Sequence, residues 1–185
     1  MSVGSQERPG QGLGNPASVW ALGGVIATLA FPIYRLTPRV QEAFESDLSA
    51  IHWVFAVFWL FFMFYTEAYR GFYLKFSPCT VARAWHLSVE RSPLQVALAP
   101  LFAMGFFHGS LRRLLKSWIL TIAILSFVLI LRYVPQPWRG LVDLGVVLGL
   151  AAGTGTVLLE IGRAIKSGPS ADPELPLARQ SQTVT

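Results

Sequence analysis

The sequence predicts an all-α integral membrane protein with four transmembrane helices, a short Pro-broken helix that is either re-entrant or a fifth span, and one interfacial amphipathic helix. Of the 185 residues, 53% are hydrophobic and only 14% are charged, whereas soluble domains carry about a quarter charged residues. The apolar residues fall into five stretches, at about 19–36, 48–65, 94–107, 118–134 and 144–159. A hydrocarbon core of about 30 Å needs about 20 helical residues, so the third stretch is too short to cross comfortably.

The predicted membrane domain covers residues 18–166, between polar tails at 1–17 and 167–185. The tails are rich in Gly, Pro and Ser and would bury too little apolar surface to fold, so we expect them to be disordered. The net charge is +5, but the Lys and Arg residues lie between the apolar stretches. There they suit anionic lipid headgroups, and we predict no binding of nucleic acid. The one cysteine, Cys79, allows no intrachain disulfide.

The first span is predicted at about 18–36. Gly23 and Ala27 are four residues apart, which places small side chains on one stripe and lets another helix approach closely. Pro32 should kink or end the last turn, because it lacks an N–H and its ring crowds the preceding turn.

The second span, at about 48–70, belongs to a strongly aromatic region. Residues 52–76 contain 12 of the 24 Phe, Trp and Tyr residues, spread around all sides of a helix. This distribution favours a helix that faces lipid on much of its surface. Glu67 and Arg70 are three residues apart near its end, and an ion pair between them at the membrane edge is expected.

Ser77 and Ser92 are each followed by Pro, a combination typical of a helix start, with Ser as the cap and Pro in the first turn. The pattern predicts an interfacial amphipathic helix over 78–91 and a short helix over 93–108. Pro100 removes a backbone hydrogen bond near the middle of the short helix. Two interpretations follow, a re-entrant segment or a weak fifth span.

The charge distribution favours re-entry. With four spans and the N-terminus inside, 11 Lys and Arg residues lie on the inner face and 4 on the outer face, as is typical of cytoplasmic loops. With five spans the split is 8 against 7, which favours neither orientation. We therefore expect four spans, at about 18–36, 48–70, 117–134 and 139–163, with both termini cytoplasmic. The N-terminus lacks a transit-peptide pattern, so a bacterial inner membrane is the expected location.

The last span carries the most specific packing signal. Gly145, Gly149 and Gly153 recur every four residues, and this double G-x-x-x-G places a ridge of small residues on one side of the helix. Its partner is either the first helix or another subunit.

Ionisable residues deep in a membrane are costly and usually functional. We predict none at mid-depth in the four spans. Asp143 is expected to pair with Arg139, and Glu160 with Arg163, at helix ends. This pattern is not typical of a proton-coupled transporter.

A haem or metal site would depend on the histidines, and no metal site is predicted. In the four-span topology His52 lies at the outer face and His108 on the inner side, so the two cannot share a haem. The five-span topology would bring the two histidines to one face. Because we expect four spans, we predict no cofactor. After His108, the basic residues Arg112, Arg113 and Lys116 are interpreted as contacts for anionic headgroups or a partner.

Together these patterns favour a small, polytopic, non-enzymatic protein, an accessory, assembly or scaffold subunit. It would pack through its Gly-rich helix against another membrane protein or a second copy. One alternative is a small-molecule or ion transport or channel protein with a cavity lined by the broken helix, for which the possible ligand or cavity residues are His108, His52, Pro100 and Glu67. The other alternative is a haem- or quinone-binding membrane protein. No catalytic residue is predicted.

Overall fold

The structure of the chain, a computed structural model, describes residues 13–89, 93–106 and 111–170. Within these ranges 86% of the residues are helical and none lies in a strand. Three helices are long and apolar enough to cross a membrane, Pro16–Glu45, Ala50–Leu87 and Trp138–Ser167. A helix of thirty residues extends about 45 Å, more than the roughly 30 Å of hydrocarbon. The all-α class is confirmed, and the three helices are consistent with an integral membrane protein.

In chain order the helices are α1 (Pro16–Glu45), α2 (Ala50–Met63), a π-helical segment (Phe64–Phe76), α3 (Ser77–Val89), α4 (Pro93–Ala97), α5 (Ala99–Ala103), α6 (Leu111–Leu131) and α7 (Trp138–Ser167). The π segment joins α2 to α3 without a break. We call the continuous rod Ala50–Val89 the long helix.

α1 continues well past the end predicted for it at residue 36. Pro32 lies inside the helix, which runs on to Glu45. Val40 and Ala43 in this extension are buried, and the burial of an apolar face outweighs the local cost of a proline. In a membrane helix, neighbouring groups also satisfy the backbone that a proline frees.

The long helix passes through the position where the sequence predicts a new helix. Ser77 has helical backbone angles of φ −63° and ψ −48°, so it is not a cap. Pro78 would crowd the carbonyl four residues earlier in an α-helix. The wider turns of the π segment, which bond over five residues, precede it directly and accommodate that crowding.

α3 is a core helix, which differs from the predicted interfacial helix with one open face. Val81, Ala84 and Leu87 have no exposed surface, and Arg83 is only 1% exposed. α3 packs against α1, α5 and α7, and these neighbours cover it on several sides. The amphipathic pattern, counted at 100° per residue, predicted the wrong environment for α3, because the polar residues of this helix are buried as well as the apolar ones.

α1 is antiparallel to α7. The C-terminal end of α1 meets the start of α7, where Gly140 lies directly against Ala43. The N-terminal end of α1 meets the end of α7, where Ala17 and Ala164 belong to one core cluster with residues of α3 and α5. The main apolar core therefore lies at the end of the bundle that holds the start of α1.

The long helix, in contrast, is parallel to α7. Trp59 lies over Gly145, and further along both helices the Ser77 hydroxyl lies 2.8 Å from the Thr156 hydroxyl. Residue numbers thus increase in the same direction on both sides of this contact, which we call the seam.

The third apolar stretch forms two short helices. α4 and α5 are separated at Leu98, and Pro100 is the second residue of α5, where a missing N–H removes no helical hydrogen bond. The Pro100 ring packs on Gly24 of α1, in space that a side chain at that position would occupy. The Pro-broken helix predicted over 93–108 is therefore interrupted at Leu98, two residues before Pro100, and its last two residues lie outside the described ranges.

α6 begins six residues before the predicted span of 117–134. It makes few contacts with the other described helices. All side chains from Ile122 to Ile130 are exposed, so the apolar surface of this stretch of α6 is open on every side.

Candidate functional site

The glycine ridge of α7 packs against the long helix of the same chain. Gly145 lies beneath the indole of Trp59, whose Nε1 donates a hydrogen bond to the Val142 carbonyl at 3.1 Å. A Cβ added at Gly153 would lie 2.6 Å from Phe72 Cγ. Neither position has room for a side chain, so the glycines let the two helices approach closely. Of the two partners that the sequence left open, the first helix and another subunit, neither occupies this ridge.

The π segment sets the register of the seam. Along the seam the pairs are Glu67 with Gly149, Phe72 with Gly153, and Ser77 with Thr156. The three residues of the long helix are five apart, a spacing that the wider turns of a π-helix, whose hydrogen bonds close over five residues, keep closer to one side than an α-helix would. A regular α-helix would bring residues three or four apart to the seam.

Glu67 is the one acidic residue that this register turns into the seam within the described π segment. Its Oε2 is buried, and no described residue donates a hydrogen bond to it. A Cβ added at Gly149 would lie 2.7 Å from Oε2 and 3.3 Å from Cδ of Glu67. The carboxylate therefore lies on bare backbone, in space that only a glycine at position 149 leaves open.

The expected ion pair between Glu67 and Arg70 is not formed, and Arg70 is exposed. The expectation assumed α-helical turns, in which residues three apart are neighbours. In the wider π turns, residue 70 lies on a different side from residue 67. The carboxylate thus has no counter-charge from its own helix.

Glu67 also lies deeper than the sequence predicts. Gly149, which it contacts, is the twelfth of the thirty residues of α7, close to the middle of the apolar stretch 144–159. The prediction that no ionisable residue lies at mid-depth stays a prediction, but Glu67 lies level with the middle of that apolar stretch and not with its end. Hydropathy placed Glu67 at the end of an apolar run, but the contact with α7 sets its level.

A groove of about 340 Å³ runs along the outside of the seam, next to Glu67. Its lining residues are Val57, Leu60, Phe61, Phe64, Gly145, Leu148 and Gly149. All of these are apolar, and the groove opens to the outside through exposed Val57, Phe61 and Phe64. Gly149 belongs both to the groove and to the contact with the Glu67 carboxylate. This groove lies between α2 and α7, whereas the sequence placed a possible cavity along the broken third segment near Pro100.

His52 has a structural role at the start of α2. Its Nδ1 accepts a hydrogen bond from the Ser49 N–H at 3.0 Å, and its ring packs edge-on against Trp138 with centroids 4.6 Å apart. The side chain thus caps α2 and joins it to the start of α7. His108 lies outside the described residues. In the part of the chain that the structure describes, no three His, Cys, Asp or Glu side chains are grouped as a metal site requires.

Gly23 and Ala27 lie on the exposed side of α1. No described atom comes within 4 Å of a Cβ added at Gly23. The close approach on α1 occurs at the next residue, Gly24, which faces Pro100. The helical positions of Arg112, Arg113 and Lys116 are the first two turns of α6, but their side chains lie outside the description.

One of the two predicted helix-end pairs is present. Glu160 Oε2 forms an ion pair with Arg163 Nη1 at 3.6 Å. Its Oε1 accepts a hydrogen bond from the Ser170 hydroxyl at 2.7 Å. Asp143 is only 3% exposed, and it forms no ion pair with Arg139 among the described residues because it faces the inside of the bundle.

Arg83 is the functional candidate that the sequence reasoning missed. Its Nη1 donates to the Phe102 carbonyl at 3.3 Å, and its guanidinium lies 5.6 Å from the centre of the Phe102 ring. The one sequence signal is local, since Ala82 and Ala84 flank the arginine and small neighbours let other helices close around it. This contact fixes α5 to α3.

The fold defines the class as an all-helical protein with three helices fit to cross a membrane. The chain matches no protein-family model, and searches of curated proteins and of solved structures found no significant match.

Proposed function

We propose that the chain crosses the membrane four times, through α1, the long helix, α6 and α7, with the segment of α4 and α5 re-entering on the inner side. The parallel direction of the long helix and α7 supports this count. If the third segment also crossed, two crossings, by the third segment and by α6, would lie between these helices in the chain. The long helix and α7 would then be antiparallel. The split of 11 against 4 positive charges supports cytoplasmic termini, and a bacterial inner membrane is part of the same proposal.

Cysteine labelling tests this topology. In a background with Cys79→Ser, single variants Ser92→Cys and Gly109→Cys flank the third segment. We expect a membrane-impermeant maleimide to label both from the cytoplasmic face and neither from the outer face. Labelling of the two from opposite faces would show a fifth crossing and contradict the proposal.

The proposed function is that of a non-enzymatic subunit that assembles in the membrane. The observation that carries it is α6, whose exposed residues include Ile122, Leu125 and Leu129, each at least 57% exposed, and Ile124 and Ile130 on its other sides. A helix that is apolar all round is normally surrounded by protein or lipid. Because α6 makes few contacts with the other described helices, the surface of residues 122–130 is open to a partner.

We propose that the partner is a second copy of the chain. The described surface of α1 offers a stripe of small exposed residues, Gly23 and Ala27, with open space above Gly23. Large side chains on α6 of one copy fit against small residues on α1 of the other, which is the size complementarity that drives helix association where lipid supplies no hydrophobic force. In such a dimer α6 of each copy contacts α1 of the other, so each copy contributes one α6 surface and one α1 surface.

A glycine-to-leucine pair tests the assembly. Gly23→Leu is expected to weaken self-association at least tenfold, because Leu fills the stripe, and Gly155→Leu is the matched control, since Gly155 also has no atom within 4 Å of an added Cβ. The measurement is the mass of the purified protein in mild detergent over a dilution series. A monomeric wild type, a dimer that Gly23→Leu leaves intact, or a stoichiometric complex with a different protein would each contradict a second copy as partner.

A further inference from the structure

We propose that the groove between α2 and α7 binds a membrane-dissolved amphiphile with an ammonium head, and that the Glu67 carboxylate pairs with this head. The chemical class is a long-chain amine or quaternary ammonium compound. This site is separate from α6 and does not depend on the proposed self-association.

The shape and lining of the groove suit the hydrocarbon part of such a ligand. Its volume of about 340 Å³ is within the range of small-molecule sites. Val57, Leu60 and Phe64 form one wall of the groove, and the Glu67 carboxylate lies against Gly149 of the opposite wall. Gly145 and Gly149 keep the opposite wall low, because no side chain rises from them.

The charge of the site favours a cationic head over a neutral or anionic one. A carboxylate away from water needs a counter-charge or hydrogen-bond donors. Among the described residues none donates to Glu67 Oε2, and the nearest cations along the helix, Arg70 and Lys75, are exposed. An ammonium head would supply the missing charge.

The aromatic residues of the groove favour the same head. Phe61 and Phe64 both line the groove, as does Gly149, on which the Glu67 carboxylate lies. Aromatic faces attract ammonium groups, most strongly where water is excluded. A groove with aromatic rings on one wall and a carboxylate against the other is therefore suited to a cation, whereas a fatty acid would be repelled by the carboxylate.

Photoaffinity labelling tests this site in the full-length protein. The probe is hexadecyltrimethylammonium with a diazirine in its chain, added to protein in a maltoside detergent, which itself carries no charge. Peptide mass spectrometry locates the label. We expect saturable labelling within residues 57–64 and 145–149, reduced at least tenfold by excess unmodified hexadecyltrimethylammonium and less than twofold by the same excess of hexadecanol.

The variants separate pairing with the carboxylate from simple apolar binding. Glu67→Gln keeps the shape of the side chain and should reduce saturable labelling at least tenfold. Glu160→Gln, which changes a carboxylate outside the groove, should change it less than twofold.

The wild-type competition needs no variant, so a folding defect cannot explain its result. The proposal would be overturned if hexadecanol competed equally or if Glu67→Gln were labelled equally. It would also be overturned by label outside the groove, or by the absence of saturable label, as when a second copy covers the groove.

Discussion

Replacing Gly153 with Leu is expected to lower the free energy of unfolding by about 3 kcal/mol, at the upper end of the usual cost of overpacking. The added Cβ would lie 2.6 Å from Phe72 Cγ. Because Cγ is close to the backbone of the long helix, the ring cannot turn away, and the two helices have to separate. Reversible unfolding in mixed SDS and maltoside micelles, followed by circular dichroism, measures this change.

Gly155→Leu, two positions further along α7, is the matched control. Since no atom lies within 4 Å of a Cβ added there, the change should be neutral or stabilise the helix by up to about 1 kcal/mol, the usual difference between Gly and a good helix former. Gly149→Ala should cost less than Gly153→Ala, because the atom it meets is the end of a flexible Glu67 side chain. Equal effects at positions 153 and 155 would show that the seam is absent.

Replacing Glu67 with Met is expected to stabilise the protein by about 2 kcal/mol, the order of the cost of placing a charged residue near the middle of a membrane helix. Met has a similar length and fills the same space on Gly149 without the carboxylate. A residue whose replacement stabilises the protein is often retained for function, because selection at a binding site acts on binding and not on stability.

The same substitution at Glu160 is the control for Glu67→Met. Glu160 is already paired with Arg163 and Ser170, so Glu160→Met should lower stability slightly or leave it unchanged, as is usual for partly exposed pairs. The unfolding assay described above compares both variants with the wild type. A clear loss of stability in Glu67→Met would mean that the carboxylate is held by a structural partner, and that result would remove the basis of the proposed ligand site.

The sequence was sufficient for the helical class and for the long apolar helices, because hydropathy depends on composition and length. It predicted a span at about 139–163, and α7 runs from Trp138 to Ser167. It also identified Gly145, Gly149 and Gly153, where the long helix approaches α7 closely, since the effect of a missing side chain is local, but not Gly140, which α1 approaches just as closely. It could not choose the partner of that ridge, which depends on how several helices pack.

The π segment explains most of what the sequence could not predict at the candidate site. Sequence patterns were interpreted at 100° per residue, which puts Glu67 beside Arg70 and outside the bundle. The wider turns bring Glu67, Phe72 and Ser77 to one side instead. No residue type between Phe64 and Phe76 signals a π-helix, so the depth and burial of Glu67 had no sequence signature.

Arg83 and His52 illustrate a second limit. Arginine on a short helix between Ser-Pro pairs is usually exposed, but here α1, α5 and α7 enclose α3, which no local pattern shows. His52 was a possible ligand, whereas its Nδ1 forms the cap with Ser49. In both residues the role is decided by a neighbour, Phe102 for Arg83 and Ser49 for His52.

Disulfide formation between Ser77→Cys and Thr156→Cys, in a background with Cys79→Ala, measures whether the long helix and α7 form the parallel seam that places Glu67 on Gly149. The two hydroxyl oxygens are 2.8 Å apart, so we expect the cysteines to cross-link rapidly under mild oxidation within one chain. Ser77→Cys combined with Leu148→Cys, about two turns away along α7 at an exposed position, should not cross-link. Cross-linking of the second pair and not the first would place the helices antiparallel or out of register and would contradict the account.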